Sequence, residues 1–455
     1  MTVRRCAKLD SSAIVFDLGV HKEGIAMGRA VWVDVTDSEP LVDEPVGFVV
    51  RDLEPGSDVV VRATTDLLGC CYQAEARFTA DESGEVHPAR QASAGGTYEG
   101  VDAFGLWWSG RPNGPAGPPN FDPVRCRVTV SNGEGGFLAE RELTRHWLRA
   151  GVTLTEVREP GVWGVFARPP GQGPFGGVVA FGGSSGGLGS AAAWAPVLAS
   201  RGFAVLAIAY FGVPGLPDRL AEIPVETVAR AAAWLLARDD VGLDRVAVMG
   251  QSRGGELALL AGASLDVIGA VVGVVPSGVV WCGFGAAGPL DVSAWSVGGR
   301  PVPYLPAVDG FPSGVGASEP VAMTPGFARL LRDEAAVRAA EIPIERIQGP
   351  ILLVSGEDDA MWPSTRLSEI VERRAAATGF AHPVVHLRYP DAGHVCAGVP
   401  GTPVATEVRH PLDGGYYTFG GTGAGNAAAR ADSWPRVLSF LADALARPAA
   451  RPSDP

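Results

Sequence analysis

The stretch that most constrains the fold is Val246-Ala247-Val248-Met249 running into Gly250-Gln251-Ser252-Arg253-Gly254-Gly255, followed by Glu256-Leu257-Ala258-Leu259-Leu260-Ala261. The short apolar run suits a strand buried on both faces of a parallel sheet. The residues from Glu256 onward open a helix. A serine at the turn between them is held in a strained backbone position, its hydroxyl raised above the sheet edge, and the flanking glycines let the turn close. The pattern by itself is weak. With 25 serines and 61 glycines in 455 residues, composition alone supplies about half a copy of G-x-S-x-G by chance.

Two further matches are centred on Ser184 and Ser185, in Phe181-Gly182-Gly183-Ser184-Ser185-Gly186-Gly187-Leu188. Chain order separates them from Ser252. The early loop follows Val178-Val179-Ala180. A helix over 190–200, an apolar strand from Phe203 to Ala209 and a second helix over 225–238 come next, and only then the strand and turn at 246–255. A glycine-rich loop after an earlier strand is suited to supply a backbone N–H to a developing oxyanion, while the nucleophile sits on the later strand. Ser252 is therefore the candidate nucleophile, with Ser184 or Ser185 as the alternatives.

Such a serine needs a base and an acid. Ile351-Leu352-Leu353-Val354 reads as a strand, and Ser355-Gly356-Glu357-Asp358-Asp359 ends it with acids. Val384 to Tyr389 reads as the last strand, and Pro390-Asp391-Ala392-Gly393-His394 puts a histidine in the loop after it. The order Ser, Asp, His is that of α/β-hydrolases. Of the seven histidines, only His394 stands in the right relation to both other stations. Asp359 is preferred to Asp358, since of two adjacent acids one faces the histidine and its neighbour points away. Arg253 and Glu256 read as groups that support the turn or pair with each other.

A chain of this length exceeds one ordinary core, so two domains are expected, divided near residue 150. Residues 1–150 hold short alternating segments such as Val59-Val60-Val61-Arg62-Ala63 between Gly, Pro, Asp and Ser clusters, which reads as a β-sandwich. Residues 151–447 alternate apolar strands with Ala/Leu-rich helices, which reads as an α/β domain with a mostly parallel sheet covered on both faces. Pro224 opens one helix, with Val225, Val228, Ala231 and Leu235 as its apolar stripe. Residues 282–325 break the alternation and read as an irregular insertion, a lid or pocket wall in preference to a disordered loop. The tail from Arg447 to Pro455 reads as disordered.

The balance of 37 basic against 50 acidic residues gives a net charge of −13. That argues against nucleic acid or an anionic membrane as partner. No 18-residue apolar stretch and no apolar signal core after Met1-Thr2-Val3-Arg4-Arg5-Cys6 is present, which argues against a membrane span and against secretion. Six cysteines (Cys6, Cys70, Cys71, Cys126, Cys282, Cys396) show no C-x-x-C spacing and read as free thiols of a cytoplasmic protein.

Taken together, the motifs resemble those of the acyl-CoA thioesterases and bile acid-CoA:amino acid N-acyltransferases, over nearly the whole chain. The family's G-x-S-K-G-G-E turn, with Cys as nucleophile in the acyltransferases, is similar to Gly250-Gln251-Ser252-Arg253-Gly254-Gly255-Glu256. Gly186-Gly187-Leu188 and the run from Arg201 to Phe211 look like its glycine loop and following strand. Ile342 to Arg346, then Gly356-Glu357-Asp358-Asp359 with Trp362, look like its run into the acid, where the second acid is the catalytic one. Tyr389-Pro390 with Gly393-His394, Gly420-Gly421 with Ala431 to Trp434, and Gly100 to Trp108 look like its histidine loop, closing helix and N-terminal signature. Three departures stand out. The glycine loop carries Ser184-Ser185 and is one residue longer, Asn426 stands where the family often has a histidine, and residues 282–325 differ most. The C-terminus also lacks the peroxisomal tripeptide that some members carry.

The resemblance implies an enzyme that cleaves an acyl thioester through an acyl-serine intermediate, with Ser252, His394 and Asp359 as triad. The backbone N–H groups of Arg253 and Ser185 are the expected oxyanion donors. Transfer of the acyl group to an amine or alcohol is the alternative. No metal or redox cofactor is expected. The expected substrate is a coenzyme A thioester, with an acyl carrier protein as the other conceivable carrier. The sequence leaves the acyl group and the oligomeric state open.

Overall fold

The computed structural model describes residues 30–446, apart from residues 38, 68, 115–119, 243 and 308–310. The expectations about Cys6, the N-terminal residues and the tail from Arg447 lie outside the described residues.

The apolar runs become the strands Gly176–Phe181, Phe203–Ala209, Val246–Gln251, Ile268–Val274, Ile351–Gly356 and Val384–Tyr389. They lie side by side in parallel in the spatial order Val384–Tyr389, Ile351–Gly356, Ile268–Val274, Val246–Gln251, Gly176–Phe181, Phe203–Ala209. Two antiparallel strands, Val162–Arg168 and Thr153–Glu159, extend the sheet beyond Phe203–Ala209 to eight. Every residue of Phe203–Ala209 is buried, as expected for a strand covered on both faces. Successive side chains leave a strand on opposite faces. Val178, Ala180, Ala247 and Met249 accordingly join one core, and Val179, Phe181, Val246 and Val248 the other. The helices Ala191–Ser200 and Gly423–Ala444 cover the first face. Glu226–Leu236 and Arg253–Ser264 cover the second. The parallel sheet with helices on both faces is thus the one expected. Among the described residues, no helix is long and apolar enough to cross a membrane.

Before this sheet lies an antiparallel one of five strands, ordered Arg111–Pro112, Cys70–Thr79, Asp58–Leu67, Val124–Asn132, Phe137–Arg145. A separate two-stranded ribbon pairs Trp32–Val35 with Phe48–Arg51. Among the described residues, the antiparallel region comprises this five-stranded sheet and the ribbon. Its core is not its own. Val61, Phe78 and Val130 belong to the same continuous cluster as Val178, Trp194 and Trp434. Polar contacts reinforce the junction. Arg145, fully buried, donates from Nη1 to Gly401 O at 3.0 Å and from Nη2 to Val42 O at 2.5 Å. The buried Asp43 carboxylate accepts from Arg201 at 2.8 Å and from Trp434 Nε1 at 3.0 Å.

Residues 282–325 contain more order than an irregular insertion would. Cys282–Gly285 and Gly288–Ser293 form a hairpin, and Trp295–Val297 pairs with both Arg300–Pro301 and Ile223–Pro224. Positive-φ glycines (Gly288, Gly298 and Gly299) make the tight reversals, so the Gly and Pro richness encodes turns between short strands.

The serine turn is set by backbone packing that excludes side chains. A methyl group on Gly250 would lie 2.1 Å from Gly254 O, and one on Gly254 would lie 2.2 Å from Gly182 O. The turn and the glycine loop therefore touch backbone to backbone. Gly254→Ala should force them apart and destabilise the protein by about 1–3 kcal/mol, the usual cost of overpacking. Urea denaturation of the variant beside the wild type measures this, and an unchanged midpoint contradicts it.

Candidate active site

Ser252 sits between the strand Val246–Gln251 and the helix Arg253–Ser264, with φ 58° and ψ −121°. A non-glycine residue there is strained by about 1–3 kcal/mol and persists only where its surroundings over-determine it. Here Ser252 N–H donates to Val274 O at 2.8 Å, and Ser252 O accepts the Glu256 N–H at 3.1 Å. The helix start leaves its first N–H groups without intrahelical acceptors, and that of Arg253 is the first beyond Ser252.

Asp359 and His394 meet as the chain order required. His394 Nδ1 lies 2.8 Å from Asp359 Oδ2 and 3.1 Å from Oδ1. Both side chains are almost wholly buried. Asp359 Oδ1 also accepts the N–H groups of Met361 (2.9 Å) and Trp362 (3.2 Å), so the carboxylate cannot swing away. With Nδ1–H donating to Asp359, the Nε2 lone pair of His394 is free to act as a base. The imidazole stacks on Phe419 and meets Trp362 edge-on. Asp358 is exposed and has no contact with His394. Asn426 is fully buried and fixes the histidine loop. Its Oδ1 accepts the Gly393 N–H at 2.9 Å, and its Nδ2 donates to Gly420 O and Thr422 O.

Ser252 and His394 line one cleft whose empty space, counting its part open to solvent, is about 700 Å3. Aromatic and aliphatic side chains make most of its wall, chiefly Trp281, Phe311, Phe327, Leu330, Met361 and Trp362. Cys282, Gly283, Phe284, Pro289, Ala307 and Phe311 come from the 282–325 stretch, which is therefore a wall of the cleft.

Ser185 is exposed and lies outside the cleft, whereas Ser184 lines it. Gly186 and Gly187 take positive φ, and the Gly187 N–H bonds Phe211 O at 3.0 Å, which turns the chain outward at Ser185. A methyl on Gly183 would lie 3.6 Å from Ser252 Oγ. Gly183 thus lies against Ser252, and Ser184 lines the same cleft.

Arg253 and Glu256 form a buried pair, 3.3 Å between Nε and Oε2. Burial pushes the Glu256 carboxyl up to about 7, against the pull of Arg253 and of hydrogen bonds from Trp281 N–H (3.1 Å) and Trp295 Nε1 (2.6 Å). Arg253 Nη2 donates to Trp281 O and Cys282 O. The pair therefore ties the helix behind Ser252 to the cleft wall, as support and not as reacting groups. His410 also lines the cleft, with Nε2 3.1 Å from Ser184 Oγ. Sequence reasoning missed it, because the strand before it, Glu407–Arg409, is only three residues long and carries no apolar run; its one signal was Asp413 three residues on.

Among the described residues, Asp81, Glu85 and His87 are the one group able to offer three metal ligands close together. It lies in the antiparallel region, and Asp81 Oδ1 already accepts from Ser83 and the Glu85 N–H. The described cysteines are free thiols.

The parallel sheet and the strained strand–serine–helix turn define an α/β-hydrolase. More narrowly, the chain belongs to the acyl-CoA thioester hydrolase/BAAT family, the one its motifs resemble. Residues 43–159 match the acyl-CoA thioester hydrolase/BAAT N-terminal region, and residues 223–447 match the BAAT/acyl-CoA thioester hydrolase C terminal. Acyl-coenzyme A thioesterase 2, mitochondrial, of Homo sapiens is 31% identical, over 91% of this chain and 82% of that protein. The Mus musculus protein of the same name is 30% identical over 91% and 87%. The peroxisomal succinyl-coenzyme A thioesterase of Mus musculus is 29% identical over 91% and 94%.

The two adjacent acids make a clean test. Asp359→Asn should lower kcat by about 10³–10⁴-fold, by letting His394 take the wrong tautomer. Asp358→Asn should stay within roughly tenfold of wild type on the same reasoning. Steady-state hydrolysis of an acyl-CoA by both variants decides, and a reversed order moves the acid to Asp358.

Proposed function

We propose that the protein hydrolyses acyl-CoA thioesters with an apolar acyl chain, through an acyl-Ser252 intermediate. The observation that carries this reading is Ser252 and His394 at one apolar cleft, with Asp359 2.8 Å behind His394. Ser252 Oγ attacks the thioester carbonyl while its proton passes to His394 Nε2. The carbonyl oxygen becomes an oxyanion, to which the Arg253 N–H and the glycine loop at Gly183 and Ser184 donate. The C–S bond then breaks, and His394 returns the proton to the departing sulfur. Water repeats the sequence on the acyl-serine, and His394 returns the proton to Ser252. Asp359 keeps the imidazole oriented and stabilises its charged form throughout.

The cleft also speaks to the acyl group. Arg253 is the only Lys or Arg among the described residues lining it, and its guanidinium is engaged by Glu256, Trp281 O and Cys282 O. An acyl group ending in a carboxylate would meet aromatic rings with no cation to pair with. A straight alkyl chain would bury its surface against Trp281, Phe327 and Trp362. This separates the expected substrate from the one named for the succinyl-coenzyme A relative.

Two outcomes are expected. Ser252→Ala should fold normally and lose about 10⁶-fold in kcat, as triad enzymes do without their nucleophile. The wild type should favour a straight-chain acyl-CoA over succinyl-CoA by at least about 10²-fold in kcat/KM, because an unpaired buried carboxylate costs several kcal/mol. Thiol release from a panel of acyl-CoAs measures both. Turnover retained in Ser252→Ala, or a preference for succinyl-CoA, contradicts the reading.

A further inference from the structure

The cleft holds a second histidine whose hydrogen bonds differ from those of His394. His410 is buried, framed edge-on by Phe284 and Tyr417. Its backbone is pinned on both sides: its N–H donates to Gly415 O, and its carbonyl accepts the Gly414 N–H, each at 2.8 Å. Its Nε2 faces Ser184 Oγ at 3.1 Å. Its Nδ1 lies 3.4 Å from Asp413 Oδ1, against 2.8 Å for the corresponding contact of His394.

The difference sets the tautomer. Asp413 has closer donors than His410: Oδ1 accepts the Gly415 N–H at 3.0 Å, and Oδ2 accepts the Tyr417 hydroxyl at 2.6 Å. The Leu412 N–H, which can only donate, is directed at His410 Nδ1 at 3.4 Å. Nδ1 is therefore the acceptor. Burial holds the His410 pKa below the usual histidine range, against the pull of Asp413, so the ring is neutral and its single proton sits on Nε2. His410 then donates to Ser184 Oγ, and the Ser184 hydroxyl keeps its own proton to donate into the cleft. His394 presents a lone pair to the cleft and His410 a proton.

Ser184 is the right residue to use that proton. It follows Gly183, on which a methyl group would lie 3.1 Å from Ser252 Cβ, and it lines the same cleft. We propose that the Ser184 hydroxyl is a side-chain donor to the oxyanion formed on acylation of Ser252, and that His410 is the positioning residue that aims it. The inference rests on the acyl-Ser252 reading above. No proton is transferred from Ser184. Its O–H shortens onto the oxygen as the Ser252 Oγ–carbon bond forms, and relaxes when the carbonyl is restored on loss of the thiolate. A donor matched to the oxyanion lowers the barrier without tightening substrate binding.

The test compares wild type, Ser184→Ala, His410→Leu and the double variant on a straight-chain acyl-CoA. It also measures inhibition by a straight-chain alkyl trifluoromethyl ketone, which forms a tetrahedral oxyanion on a serine. Ser184→Ala should lower kcat by about 10²-fold, the low end for loss of one oxyanion donor, with KM within about twofold. Ketone affinity should fall by a similar factor. His410→Leu should lose less, and the double variant should be no worse than Ser184→Ala, since His410 acts through Ser184. If Ser184→Ala leaves kcat unchanged, or lowers it while ketone affinity holds, the inference is overturned. Labelling with a fluorophosphonate keeps the two readings apart. A wild type labelled at Ser252 leaves the parent reading standing whatever Ser184→Ala does. Label on Ser184 makes it a nucleophile and overturns the donor role.

Discussion

Everything at the cleft depends on a place where backbone meets backbone with no room for a side chain. Gly254 packs on Gly182 O and Gly250 on Gly254 O, which brings the helix carrying Arg253 against the loop carrying Gly183 and Ser184. The same packing forces Ser252 to φ 58°. The strain is sustained because both flanking elements are anchored. The strand is central in an eight-stranded sheet, and the helix is buried along nearly its whole length. Rigid elements deliver a reactive group more accurately than a loop can.

The Arg253–Glu256 pair extends that order outward. A buried ion pair is weak evidence of stabilisation, since desolvating both charges offsets their attraction. Its worth here is positional. Glu256 receives Trp281 N–H and Trp295 Nε1 while Arg253 reaches Trp281 O and Cys282 O, so the cleft wall is registered on the helix that begins after Ser252. Asn426 does the same for the opposite side, holding Gly393 and hence the loop of His394. The antiparallel region supports this second side from behind, through Arg145 on Gly401 and Asp43 on Trp434.

The central sheet was legible in the sequence because strands buried on both faces are continuous apolar runs, as in Phe203–Ala209 and Ile351–Val354. That Asp359 meets His394 and that Ser252 lines the same cleft was legible because each residue follows such a run, and chain order links the three. What escaped depends on paths that spacing does not encode. Choosing Ser184 over Ser185 needs the positive-φ course of Gly186 and Gly187, and adjacent serines look alike to a motif. The Gly and Pro of residues 282–325 signal turns equally well in a disordered loop and in short hairpins, and only the pairing of Cys282–Gly285 with Gly288–Ser293 tells them apart. His410 reaches the cleft after the three-residue strand Glu407–Arg409, too short and too polar to read as a strand in the sequence. The single core shared by both regions follows from packing between segments far apart in the chain.

The central claim is that the acyl group passes through Ser252. Mixing the enzyme with a straight-chain acyl-CoA, quenching in acid within the first turnovers and mapping peptides by mass spectrometry tests it most directly. The account predicts an acyl mass on the peptide containing Ser252, absent from Ser252→Ala and raised in Asp359→Asn if deacylation is slowed more than acylation. Acyl adducts on a peptide containing Ser184 in place of Ser252, or in equal amount in wild type and Ser252→Ala, would contradict it.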